Sequence, residues 1–237
     1  AGAKVVKGEP EMFFHKFNMT IEDILKLPNQ IENLNIVDIN ELSVPGWDVV
    51  FKNYIPKFKF LGNEPAVNIN ASRGCPYSCF YYCVYPLQQG RGLRLKNPMK
   101  LVEEIKILKS QLGVKNFIFR DPVFSINRNH TIEVCKKIIS QNLDIRICIE
   151  THLKNIDNEL ADYLKKAGVK LIYVGIESAV EEVRNDAHRK SEDNDKQFNK
   201  INYLEKIGIK VKAMYIIGLP SDTKDTFNET LNYAKKN

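Results

Sequence analysis

From Ala66 onward, short runs rich in β-branched and aromatic residues alternate with amphipathic stretches of helical period. That alternation restricts the chain to an α/β fold with a parallel sheet and crossover helices. Strands are expected at 67–70, 116–120, 145–150, 170–176 and 210–217, and helices at 99–112, 129–141, 158–167 and 196–207. A further helix should run from about Thr223 to the last residue. The first helix opens on Asn97-Pro98, a capping side chain followed by proline at the first helical position, and places Leu101, Ile105, Leu108 and Leu112 on one face. Gly113, Gly168 and Gly208 each follow a helix, where a left-handed residue ends it. Links this short impose right-handed crossovers, and the sheet either stays open or curls into a barrel. Active sites on such sheets gather at the C-terminal strand ends, and Cys75, Asp121, Glu150 and Glu177 each follow one of the first four strands. No strand follows the final helix, so a barrel would be open or cut short.

Residues 1–60 lack this regularity. A short strand at 3–6 leads into Gly8-Glu9-Pro10-Glu11, Thr20 caps a helix to about Leu27, and Pro28, Pro45 and Pro56 break anything longer. Val44-Pro45-Gly46-Trp47 forms a turn that commits the only tryptophan to packing. Two units are therefore expected: 1–60, the end of one domain and a linker, and 61–237, the strand–helix series.

The first strand runs into Arg73-Gly74-Cys75-Pro76-Tyr77-Ser78-Cys79-Phe80-Tyr81-Tyr82-Cys83. An odd total of five cysteines without an N-terminal signal sequence argues against a secreted, cross-linked scaffold and for a reducing cytoplasm. Zinc needs four ligands, and His15, His130, His152 and His188 are scattered, so a zinc site would have to recruit a distant one. Three thiolates on one loop suit an iron–sulfur cluster that keeps one iron open. Cys135, inside a helix, and Cys148, inside a strand, read as packing. His152 and His188 fall in polar segments and read as solvated, and Arg120 as a partner for a carboxylate. The net charge of +6 comes from dispersed lysines, which describes a solvated surface rather than a nucleic-acid footprint. No apolar run approaches the roughly 20 residues of a membrane span.

At these residues the chain resembles the radical S-adenosylmethionine enzymes. The resemblance rests on the run 73–83, on Gly175-Ile176-Glu177-Ser178 after the fourth strand and on Ile216-Ile217-Gly218-Leu219-Pro220 after the fifth, and it covers about Ala66 to the end of the chain. It implies a partial (β/α)6 TIM-like barrel. Cys75, Cys79 and Cys83 would bind a four-iron, four-sulfur cluster whose free iron is chelated by S-adenosylmethionine, and the cluster would cleave that cofactor reductively to a 5′-deoxyadenosyl radical. It further implies that Tyr82 packs on adenine, that Glu177 contacts the ribose or amino group, and that Asp121, Glu150 and Gly218 are further cofactor contacts. No catalytic side chain beyond these is implied. One departure stands out: the family spaces its second and third cysteines by two residues, whereas three separate Cys79 from Cys83.

More narrowly, Phe119-Arg120-Asp121-Pro122-Val123-Phe124, Gln89-Gly90-Arg91, Pro45-Gly46-Trp47-Asp48 and Gly8-Glu9-Pro10-Glu11 resemble the subgroup whose radical domain follows a cobalamin-binding domain. That likeness implies a chain truncated at both ends, with cobalamin bound only in a full-length form, because no Asp-x-His-x-x-Gly segment supplies a lower cobalt ligand. It also implies methyl transfer to a small-molecule or peptide substrate, and an electron donor such as flavodoxin or ferredoxin. A non-catalytic metal- or cluster-binding module and an inactive fragment are the alternatives.

Overall fold

The structure is a computed structural model that describes residues 5–7, 9–11, 18–28, 30–32, 37–53, 57–58, 62–79 and 82–236. Gly8, His15, Pro56, Phe80 and Tyr81, all singled out above, lie outside these residues, as do the start of the strand expected at 3–6 and the final Asn237.

Five parallel strands form the centre: β4 (Glu64–Ile69), β7 (Asn116–Phe119), β8 (Arg146–Thr151), β9 (Val169–Glu177) and β10 (Lys210–Tyr215). They lie side by side in chain order, β4-β7-β8-β9-β10. A doubly wound sheet reverses its order partway, whereas an unbroken order places successive crossovers on one side, as in a barrel wall. The question left by the sequence is thereby answered: the fold is a partial TIM-like barrel. On the first edge β3 (Lys57–Phe58) pairs antiparallel with β4, so residues assigned above to the linker join the sheet. Two short pairs lie apart, β1 (Val5–Lys7) with β2 (Gln30–Glu32), and β5 (Ser72–Arg73) with β6 (Arg94–Leu95).

Short polar side chains cap the crossover helices, at Asn97 as expected. In α4 (Pro98–Leu112) the Asn97 carboxamide accepts from the amides of Met99 and Lys100. Asn127 caps α5 (Arg128–Ser140), Asp157 caps α6 (Asn158–Lys166) and Asp193 caps α8 (Asn194–Lys206) in the same way. In the N-terminal region Thr20 and Asp23 complete a capping box on α1 (Ile21–Lys26). A second short helix, α2 (Trp47–Asn53), carries the tryptophan, which packs against the main core and α4. In the outer layer α4 packs on α5 and α5 on α6, and the helices cover one face of the sheet, where Phe117, Ile147, Ile149, Ile172 and Ile176 meet Leu101, Ile105, Ile138 and Leu160. Cys135 belongs to this core, while Cys148 faces the opposite, concave side with Leu171, Ile118 and Tyr173. Burial pushes both thiols up to about 12, as befits packing residues.

Short elements have no counterpart in the periodicity, among them the β5–β6 pair, α3 (Tyr85–Gln89) and α7 (Glu181–Asp186). Each is too short to show a period, and each flanks the strand ends that matter below. The last helix, α9 (Lys224–Lys236), matches expectation within a residue. Among the described residues no helix is long and apolar enough to cross a membrane.

Gly113 and Gly168 both end helices at positive φ, +64° and +100°, but their surroundings differ. A Cβ on Gly113 would meet open space, whereas one on Gly168 would lie 2.4 Å from the Ile145 carbonyl oxygen. Gly113→Ala is therefore expected to cost roughly 1 kcal/mol and Gly168→Ala roughly 2–5 kcal/mol, adding steric overlap to left-handed strain. Urea unfolding of the two variants checks the ordering, and equal costs would contradict it.

Candidate functional site

The C-terminal strand ends converge beneath the cysteine loop. Gly74, at φ +87°, lets the chain turn into Cys75, since a Cβ there would lie 2.0 Å from the Gly92 carbonyl oxygen. The Cys75 amide donates to the Gly90 carbonyl at 3.1 Å and the Gly74 amide to the Gln89 side chain at 3.1 Å. These bonds explain why the glycine-rich stretch after α3 accompanies the cysteines. Arg73 and Arg94, on the β5–β6 pair, both reach the buried carboxylate of Glu9: Arg94 donates twice, at 2.6 and 2.8 Å, and Arg73 once at 3.3 Å, with a second bond to Glu11 at 2.6 Å. The guanidinium partners and the Val37 amide hold Glu9 below its usual range against the cost of its burial. The sequence placed Glu9 in a separate unit; it is in fact a foundation of the loop.

Cys75, Cys79 and Cys83 are free thiols. Burial raises Cys75 and Cys83 above the ordinary thiol range, and neighbouring thiols add to it: Cys79 and Cys83 at Cys75, and Cys79 at Cys83. The nearest cation is the buried guanidinium of Arg189, whose Nη1 lies 3.8 Å from Cys79 Sγ. Among the described residues no three His, Cys, Asp or Glu side chains close on one point as a single ion requires. A multi-iron cluster spreads its thiolates over several metal atoms and asks for no such convergence, so the donor set fits a cluster better than zinc.

Every residue of Gly175-Ile176-Glu177-Ser178 has a distinct task. Ile176 is fully buried in the core. Glu177 adopts φ +67° while the Ser178 amide donates across it to the Ile176 carbonyl at 2.9 Å, a strained three-residue turn that departs from the strand. The register with β10 slips at this point, between Met214 and Tyr215. A Cβ on Gly175 would lie 2.2 Å from Glu177 Oε1 and 2.9 Å from Arg189 Nη2, so glycine is the residue that leaves room for both groups. Ser178 anchors the turn through Thr230 of α9, the Val180 amide and Arg184.

A cavity of about 420 Å³ opens between the cysteine loop and the concave face. Cys79, Tyr82, Cys83, Glu150, Glu177 and Arg189 line it, with Tyr85, Tyr173, Met214 and Tyr215 supplying an aromatic and apolar wall. Tyr82 packs beside Leu219 and Ile216, and burial together with Glu177 raises its phenol. Glu150 holds Arg120 at 2.7 Å and accepts from Tyr85 Oη at 3.3 Å, and burial with this carboxylate pushes Tyr85 up to about 12. Glu177 is raised by burial and opposed by Arg189, whose Nε lies 3.6 Å from Oε1 without a hydrogen bond. Arg189 Nη2 donates to the Gly175 carbonyl at 2.8 Å.

Three of the residues singled out do not line the cavity, and the first, Cys75, is buried behind it. Asp121 does not line this cavity: it is fully buried, accepts from the Ala71 amide at 3.1 Å and Ser72 Oγ at 2.6 Å, and burial pushes it up to about 6. It fastens the chain between β4 and the cysteine loop. Gly218 is exposed at φ +84°, with its amide on Asp222. His152 corrects the solvated reading. It is 3% exposed, donates from Nε2 to the Lys190 carbonyl at 3.0 Å, accepts from the Lys154 amide and meets Tyr77 edge to face. The missed site residue is Arg189, whose signal in the sequence was a basic residue shortly after the fourth strand end.

The family model of the radical SAM superfamily matches residues 69–234. An uncharacterized methyltransferase of Pyrococcus horikoshii is 26% identical over 246 residues, covering 98% of this chain and 52% of that protein. The anaerobic magnesium-protoporphyrin IX monomethyl ester cyclase of Cereibacter sphaeroides is 32% identical over 204 residues, covering 84% of this chain and 32% of that protein. The chain thus spans about half or less of the length of these relatives. Among solved structures, the cobalamin-dependent S-adenosylmethionine radical enzyme OxsB, with aqua-cobalamin and S-adenosylmethionine bound, superposes with a TM-score of 0.69 at 14% identity, covering 94% of this chain and 34% of that one. That likeness concerns the fold.

Gly175→Ala is expected to displace the Glu177 carboxylate and lower stability by roughly 1–3 kcal/mol; a urea midpoint unchanged from wild type would contradict the packing described. His152 titrates near pH 6.5 when unfolded, and burial lowers it to about 3 in the fold, so only the unfolded chain takes up its proton as pH falls below 6.5. Its contribution is complete above that pH and is lost below it, by about 2 kcal/mol at pH 5. Unfolding at pH 7 and pH 5 should show the wild type losing that much more than His152→Gln, and identical losses would refute the burial argument.

Proposed function

The chain belongs to the radical SAM superfamily, and we propose that it forms the radical-generating core of an enzyme that cleaves S-adenosylmethionine reductively, for methyl transfer in the whole protein. The observation that carries this reading is the joint presence, around one cavity, of Cys79 and Cys83 from the loop, of Glu150 and Glu177 from later strand ends, and of Arg189 from the segment after α7. Cys75, Cys79 and Cys83 would hold a four-iron cluster, the extra residue between the last two being taken up within the loop. When bound, such a cluster with one open iron supplies an electron that splits the sulfonium of S-adenosylmethionine into methionine and a 5′-deoxyadenosyl radical.

The chain's own residues bind and orient. Glu150 and Glu177 are acceptors for an ammonium or for ribose hydroxyls, and Arg189, with an unsatisfied Nε, suits a carboxylate. Tyr82 presents its ring to the cavity wall where adenine would stack, and Tyr85, Tyr173 and Tyr215 exclude water from the reacting groups. Asp121 and Gly218 act on loop geometry in this reading. Residues 1–60 are assigned to the end of a cobalamin-binding unit and its linker, and 61–237 to the radical core. The likeness to the cobalamin-dependent enzyme OxsB, which extends over 94% of this chain, supports the first assignment. Cobalamin would then belong to the whole protein. A substrate small enough for the cavity, an acidic redox protein as reductant and a cytoplasmic setting complete the proposal.

Reconstituted anaerobically with iron and sulfide and reduced by dithionite, the chain is expected to release methionine and 5′-deoxyadenosine. Cys79→Ala should abolish the brown chromophore and the cleavage, while Cys135→Ala keeps both. A fully assembled cluster that leaves S-adenosylmethionine intact would sink the proposal.

A further inference from the structure

Cys79 stands in a wall between two cavities. The inner one is described above; on the outer side lies a cleft of about 210 Å³ bordered by Tyr77, His152, Lys154, His188, Arg189 and Lys190. None of the described residues bordering it carries a carboxylate. Lys154 Nζ sits 4.2 Å from the Tyr77 ring centroid, and at the rim Arg91 donates to the Tyr77 carbonyl at 3.2 Å. Among the described residues Arg91, Lys154 and Lys190 form no ion pair, whereas nearby acids are already engaged: Asp157 and Glu159 with Arg128, and Glu192 with Lys200. The buried His152 imidazole bonds the backbones of both Lys154 and Lys190, which fixes the two cations at the mouth. An exposed surface would otherwise scatter such charges; here they are held around one thiol.

We propose that this cleft is the docking surface for a small acidic redox protein, which delivers electrons to the cluster through Cys79 from the side opposite the cofactor and substrate cavity. The inference rests on the reading of the cysteine trio as cluster ligands. Its logic is spatial and electrostatic. The inner cavity must be filled during turnover, so an electron has to enter elsewhere, and the outer cleft reaches the same thiol. Uncompensated positive charge at its mouth steers an acidic partner and raises its association rate. In each transfer the anionic flavin hydroquinone of the donor becomes a neutral semiquinone and the cluster gains one electron. No bond forms or breaks, and no proton passes to this chain.

The test compares two reductants on the reconstituted full chain: a bacterial flavodoxin in its hydroquinone form, and dithionite. Cluster bleaching is followed by stopped flow. With flavodoxin, the second-order rate constant should fall steeply with added salt, and Lys154→Glu with Lys190→Glu should lower it at least roughly tenfold at low salt. Dithionite should reduce wild type and variant at rates within a factor of about two, which also verifies that the variant is folded and loaded. Lys166→Glu with Lys170→Glu changes net charge equally at the far, N-terminal end of β9 and should leave the flavodoxin rate near that of wild type. A flavodoxin rate indifferent to both salt and the cleft substitutions would overturn the docking surface while leaving the cluster intact. A chain with no dithionite-reducible cluster would instead overturn the reading of the cysteines, and this inference with it.

Discussion

The buried guanidinium of Arg189 organises the strand ends of this molecule. A cation 8% exposed needs compensation, and it finds three kinds at once: the Gly175 carbonyl at 2.8 Å, the Glu177 carboxylate at 3.6 Å and the Cys79 thiol at 3.8 Å. Each partner in turn depends on a local sacrifice. Gly175 forgoes a side chain so that cation and carboxylate fit, and Glu177 accepts a left-handed backbone so that its carboxylate points inward. The arrangement ties β9 to the cysteine loop across more than a hundred residues of sequence.

Local physics made much of this legible. Thr20 and Asn97 cap helices because short polar side chains satisfy free amides wherever they occur, and Gly113, Gly168 and Gly208 stop helices because glycine tolerates the required φ at little strain. The cysteine run and the Gly175–Ser178 segment were recognisable because each is a short contiguous motif that resembles one family's. What the sequence concealed is long-range. Glu9 looked like part of a distant unit until Arg73 and Arg94 closed on it, and Asp121 looked like a ligand until Ala71 and Ser72 claimed both oxygens. His152, flanked by polar residues, gave no sign that the Lys190 backbone and Tyr77 would bury it. Burial by a neighbour remote in sequence leaves no period and no spacing to read.

The same distinction separates fold from chemistry. An unbroken strand order makes the barrel wall, and that wall supports many reactions; the thiols, two carboxylates and one guanidinium at its rim narrow the choice. The β5–β6 pair and α3, too small to register as elements, are what hold the cysteine loop over the cavity. The β5–β6 pair is held to the N-terminal segment through Glu9, so a domain preceding the barrel would share a mechanical connection with the cysteine loop.

The central claim is that three thiolates leave one iron of a cubane open to S-adenosylmethionine. Electron paramagnetic resonance of the dithionite-reduced, reconstituted chain tests it most directly, read before and after adding the cofactor. The account predicts the spectrum of a reduced four-iron cluster whose g-values shift on addition, because the cofactor ligates iron. A four-iron spectrum indifferent to S-adenosylmethionine, or a chain that holds a single metal ion and gives no cluster signal, would contradict it.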